Sequence, residues 1–95
     1  MDTNGRSAIV QMEEEYMALT IDYTKKEDRT TICDKIAEVE EKFHVHPEVI
    51  HKRSQNGGGS FTVEFSKDIY THSRIPGEFI QTLLNELQIK HCEER

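Results

Sequence analysis

Three consecutive glycines, Gly57, Gly58 and Gly59, follow Gln55 and Asn56, and the chain then reads Phe61, Val63, Phe65 at a period of two. A turn signal placed ahead of an alternating run predicts a β-hairpin. The upstream arm is Val49 to Arg53, extended because Pro47 disfavours helix at His46, and only weakly apolar. One antiparallel pair is thereby set, and the rest of the chain has to cover its apolar side.

The remaining periods supply that cover. From Glu15 to Tyr23, Met17, Leu19, Ile21 and Tyr23 alternate with Tyr16, Ala18, Thr20 and Asp22, the pattern of a half-buried strand. Ile32, Ile36, Val39 and Phe43 recur at spacings of four, three and four, which predicts an amphipathic helix capped by Asp28 or Thr30. Pro76 can open a second helix, with Phe79, Ile80, Leu83, Leu84 and Leu87 as its apolar stripe. Segment 88–93 reads as a short closing strand, with a fraying helix end as the alternative.

The order β-α-β-β-α-β is the split βαβ, ferredoxin-like arrangement. It predicts an α+β two-layer sandwich with both helices on one face of an antiparallel sheet. Residues 1–12, with Asp2, Asn4, Gly5 and Ser7 ahead of a short apolar patch at Ala8, Ile9 and Val10, read as a flexible N-terminal arm. Residues 13–95 read as a single domain. The expected core is Leu19, Ile21, Ile36, Val39, Phe43, Phe61, Val63, Phe65, Ile80, Leu83 and Leu84.

Size and composition bound the function. A chain of 95 residues, 35% apolar and 32% charged, has room for one small core, and association into a homodimer could supply missing burial. Tyr16, Ala18 and Thr20, on the strand side turned away from the core, are the expected contact. No apolar run approaches the ~20 residues of a membrane span, and Met1 to Arg6 lacks the pattern of a secretory leader, so a cytoplasmic protein is expected. Cys33 and Cys92 are then expected as free thiols, Cys33 as a small buried one at the margin of the helix stripe.

The chain shows no constellation that a reaction class requires. No Lys followed by Ser or Thr comes after the glycines, and a strand follows them, which argues against a phosphate loop. RNA-recognition modules share the predicted topology. Yet Gly59 to Phe65 meets their motif only at Gly59, Val63 and Phe65, with Ser60 and Thr62 at aromatic positions. His44 and His46 would point to one side of an extended segment, but two ligands do not make a metal site, and no CxxC or HExxH pattern is present. Neither cysteine stands in a recognisable nucleophile–base arrangement. A non-enzymatic protein without cofactor or metal is expected.

Charge remains as the positive signal. Of the net charge of −6, all lies in residues 1–48, with twelve Asp or Glu against six Lys or Arg, whereas residues 49–95 hold six of each. Glu13, Glu14 and Glu15 lead into the first predicted strand. Asp34, Glu38 and Glu41 fall on the outer face of the first helix, where a rise of ~1.5 Å per residue spaces carboxylates by ~5 to 6 Å. Such a row can imitate the phosphates of a nucleic-acid strand, although Lys35 and Lys42 stand close enough to neutralise part of it.

These six residues are the candidate partner-binding set. The expectation is a small acidic inhibitor, analogous to phage-encoded DNA mimics. It would occupy the basic surface of a nucleic-acid-binding protein, such as a histone-like nucleoid protein, and compete with DNA. Direct binding to nucleic acid or membrane is not expected. The alternative is a small-ligand or metal-sensing regulatory domain of ferredoxin-like fold, with His44, His46 and His51 as its polar groups.

Overall fold

The computed structural model of the protein describes residues 6–13, 16–55, 57–65, 75–89 and 92–94. In chain order the elements are β1 (Arg6–Glu13), β2 (Tyr16–Tyr23), α1 (Asp28–Phe43), β3 (Glu48–Arg53), β4 (Gly59–Phe65), α2 (Ile75–Glu86) and β5 (Cys92–Glu94). The sheet order is β3-β4-β2-β1-β5. The first four of these strands pair antiparallel, and β5 adds to β1 in parallel. The fold is therefore α+β.

Two expectations are corrected here. The predicted arm is not an arm from Arg6 onward: Arg6–Glu13 pairs along its whole length with β2, from Arg6 opposite Tyr23 to Glu13 opposite Tyr16. The reason lies in its own alternation, since Ala8 and Val10 are buried on the core side while Ser7, Ile9 and Gln11 take the other. In consequence the predicted ferredoxin-like order is interrupted. The β2-α1-β3 unit with β4 between its strands is present, but β1 occupies the place beside β2 that the closing strand would fill, and β5 is displaced to the edge.

Alternation assigns the faces. Met17, Leu19, Ile21 and Tyr23 of β2, and Phe61, Val63 and Phe65 of β4, are buried on one side. There they meet Ile32, Ile36 and Val39 of α1 and Phe79, Ile80, Leu83 and Leu84 of α2 in one cluster. The Phe79 ring meets Phe65 edge-on at 5.2 Å between centroids and leans toward Phe43 at 6.1 Å. Every expected core residue is in this cluster or, for Phe43, packed partly buried against it. Both described helices thus lie on one face of the sheet, and among the described residues no helix covers the other.

Both helices end on a left-handed residue that is not glycine. His44 (φ 56°) closes α1, with the Val45 N–H donating to the Glu40 carbonyl at 3.2 Å. Gln88 (φ 59°) closes α2 with the paired bonds of a Schellman motif, Ile89 N–H to Leu84 O at 2.9 Å and Gln88 N–H to Asn85 O at 3.1 Å. This turn buries Leu87 and Ile89 under the helix end, so neither belongs to the closing strand, which begins at Cys92. Among the described residues no helix is long and apolar enough to cross a membrane.

Candidate partner-binding surfaces

The six acidic residues singled out from sequence do not form one surface. Asp34, Glu38 and Glu41 are exposed on the solvent side of α1, as the helical period requires. Their row is partly neutralised, because Lys35 lies 3.5 Å from Glu38 and 3.2 Å from Glu86 of α2. Both acids and a hydrogen bond from its ammonium hold the Lys35 pKa above its usual value, with the Glu86 hydrogen bond the largest cause. Glu13 lies on the opposite side of the molecule, on the sheet face that the helices leave uncovered. Glu14 and Glu15 lie outside the described residues.

What the fold brings to Glu13 is a different pair of carboxylates. On the uncovered face Gln11, Ala18, Glu64 and Glu48 stand side by side across β1, β2, β4 and β3, and Glu13 with Tyr16 form the next rung. Glu48 and Glu64 are directly opposed across the β3–β4 ladder. The Tyr16 hydroxyl donates to Glu64 Oε2 at 3.1 Å. Burial and this hydrogen bond raise the Tyr16 pKa above 10.0, with further contributions from the charges of Glu64, Glu13 and Glu48. Three carboxylates therefore surround one phenol at this corner. Parity carried a signal for Glu64, since inward Phe61, Val63 and Phe65 put Ser60, Thr62 and Glu64 outward; Glu48 needed the hairpin register as well.

Aromatic residues of β4 do not reach this face. Phe61 and Phe65 are buried on the helical side, where Phe61 stacks on His51 at 4.2 Å and 7°. His51 Nε2 is 2.7 Å from the Tyr23 hydroxyl. Burial chiefly, and then the charges of Arg53 and Arg29, press the His51 pKa below 6.5, so near neutral pH the ring is uncharged and can share a hydrogen bond with the tyrosine hydroxyl. His51 is thus a packing residue of the β3 edge.

Of the other histidines, His72 and His91 lie outside the described residues. His44 is the left-handed residue ending α1, not part of an extended segment, and His46 is exposed. Among the described residues no group of three or more His, Cys, Asp or Glu is arranged to hold a metal ion. Cys33, expected to be buried, is a free and exposed thiol, because Ile32 and Ile36 take the inward positions of that helix turn. No protein-family model, curated protein or solved structure matches the chain.

Proposed function

We propose that this protein is a non-enzymatic acidic interaction protein. It binds the basic surface of a nucleic-acid-binding protein in competition with DNA, through the corner of the uncovered sheet face formed by Glu13, Glu48 and Glu64. The observation that carries this reading is the direct opposition of Glu48 and Glu64, with Glu13 close enough to act on the same tyrosine. Like charges facing each other across a ladder destabilise a sheet, and only the Tyr16 hydroxyl relieves them within the described residues. Lysine or arginine side chains of a partner relieve that repulsion while making charge-assisted hydrogen bonds. The α1 row is the weaker surface, since Lys35 already draws on Glu38.

Two triple variants separate the surfaces, Glu13→Gln/Glu48→Gln/Glu64→Gln and Asp34→Asn/Glu38→Gln/Glu41→Gln. Each is tested by anisotropy competition against labelled DNA bound to a purified histone-like nucleoid protein. Parent and α1 variant are expected to displace the DNA with equal, salt-sensitive efficiency, and the sheet-face variant to associate about tenfold more slowly. The reverse ranking would move the surface to α1. Failure of the parent to displace DNA at low salt would sink the competition reading altogether.

A further inference from the structure

The sheet face opposite the helices is graded along its strands. At one end stand the carboxylates of Glu13, Glu48 and Glu64. The next rung across the four antiparallel strands is Ile9, Thr20, Thr62 and Ile50, and the one beyond it is Ser7, Asp22, Ser60 and Lys52. Side chains on one face recur at every second residue, so these rungs point the same way and follow each other at about 7 Å.

The middle rung is half-buried, with Ile9 and Ile50 at its ends. The Thr20 and Thr62 hydroxyls bond each other at 3.2 Å, so neither requires a polar group from an occupant. The acidic end keeps its charge, because the groups that hold its carboxylates are neutral. Gln11 donates to Glu13 at 3.0 Å and Tyr16 to Glu64 at 3.1 Å. Among the described residues no Lys or Arg pairs with Glu13, Glu48 or Glu64. At the far end Asp22 and Lys52 cancel in charge. The face thus runs from three carboxylates, through an apolar band, to a neutral end.

That grading discriminates between occupants. Phosphate-bearing ligands and anionic lipids are repelled by the carboxylates. A second copy of this chain, turned about a two-fold axis, sets acidic end against acidic end, or three carboxylates against the one lysine of the neutral end. A flexible basic tail satisfies the acidic end and leaves the apolar band unused. An extended segment lying across the band leaves its own N–H and C=O groups unpaired there, because a sheet offers ladder partners at its edges and not on its face. A helix arrives with its backbone already bonded, and its turns rise about 5.4 Å each, close to the spacing of the rungs.

We propose that this face is the docking site for a basic amphipathic helix of the partner, about 14 residues long and aligned with the strands. A turn carrying lysine or arginine meets Glu13, Glu48 and Glu64, and the apolar residues of the next turn, three or four positions on, meet Ile9 and Ile50. The docking rests on the acidic-corner reading for its charge, and adds to it the helical form of the partner and the apolar contact.

The test uses three synthetic peptides of equal length. The first carries lysines and leucines on one helical face in successive turns, the second has the same composition with the two types on opposite faces, and the third replaces the leucines by glycine and serine. Binding to the full chain is followed by fluorescence anisotropy and amide NMR. The first peptide should bind at least about tenfold more tightly than the others, and shift the amides of Ile9, Thr20, Ile50 and Thr62 together with those of Glu13, Glu48 and Glu64. Ile9→Thr/Ile50→Thr keeps β-branched side chains in both strands and should lose about tenfold in affinity for the first peptide alone. Should that variant fail to fold, the ranking of the peptides on the parent still decides. Equal binding of the three peptides, shifts confined to the acidic end, unchanged binding by the double variant, an oligonucleotide response at these amides, or a doubled parent mass in place of peptide binding would each overturn the proposal. Competition against DNA separates the helix from the corner. If Ile9→Thr/Ile50→Thr displaces DNA as well as the parent while Glu13→Gln/Glu48→Gln/Glu64→Gln is defective, the helix is removed and the acidic corner stands. If the parent binds the first peptide but displaces no DNA, the helix site stands and the competition is removed.

Discussion

His51 illustrates how a residue that looks like a ligand in sequence becomes a structural one. Its ring is sandwiched into the β3–β4 hairpin against Phe61 and meets the Tyr23 hydroxyl, an arrangement that suits the neutral form. Because burial and the two nearby arginines lower its folded pKa below 6.5, protonation works against the fold. Above about pH 6.5 both folded and unfolded chains carry the neutral ring, and the arrangement contributes its full stability. As pH falls through that value the unfolded chain takes up the proton first, so stability declines until the folded ring protonates too. His51→Phe should therefore flatten the pH dependence of the urea midpoint below pH 6.5 relative to the parent. A slope unchanged by the substitution would mean that the ring does not titrate differently in the two states. The extended reading of Val49 to Arg53 gave His51 a position on the strand, but which face it took depended on its register with Phe61.

At the scale of elements, the strand most poorly read from sequence is β1, although it is paired on both sides. β2, β4 and the two described helices were legible because their apolar periods are long, four residues of β2, three of β4 and a full stripe on each helix, whereas β3 was read from Pro47 and the glycine turn. β1 offers only Ala8 and Val10 as buried positions, between polar neighbours and behind a polar terminus, so its period is too short to separate strand from coil. β1 pairs with the adjacent strand β2 and is also held by contacts distant in sequence. The Arg6 guanidinium donates to the Leu87 carbonyl at 2.7 Å and to Asp28 Oδ1 at 2.9 Å, joining β1 to the start of α1 and the end of α2. Asp28, expected as a helix cap, is 8% exposed and serves this ion pair, while Glu27 occupies the cap position without a side-chain bond. The acidic corner was half legible for the same reason: Glu13 stands out in a run of glutamates, whereas Glu48 joins it only through strand order. Breaking the pair from one side leaves a buried carboxylate uncompensated, so Arg6→Met should cost about 3–5 kcal/mol in urea unfolding. Arg6→Met with Asp28→Leu should recover much of that loss. A single variant as stable as the parent would show that β1 is held by its ladder alone.

The whole molecule bears on the expected homodimer, whose motive was a core too small to close. Among the described residues one chain already buries a continuous apolar cluster. β1 contributes Ala8 and Val10 and the turn after α2 adds Ile89, beyond the residues the periods indicated, while Met17, Tyr23 and Leu87 of the periodic stripes complete the cluster. Among the described residues, the exposed large apolar side chains are Met12 at 40% and Val49 at 38%. They lie on β1 and β3, with β2 and β4 between them, and form no common patch. A stable interface buries on the order of 1,200–2,000 Å² with an apolar centre, and the uncovered face offers at its middle only the half-buried rung Ile9, Thr20, Thr62 and Ile50. Sheet-edge pairing is opposed as well, since edge strand β3 carries Glu48, Lys52 and Arg53, the charged residues that discourage one edge from adding to another. Sedimentation equilibrium should accordingly return the monomer mass of 11.1 kDa. Twice that mass would restore the dimer and direct attention to the central rung, where Ile50→Lys should dissociate it without touching the core. If Ile50→Lys left the doubled mass intact, the contact would have to lie away from the uncovered face.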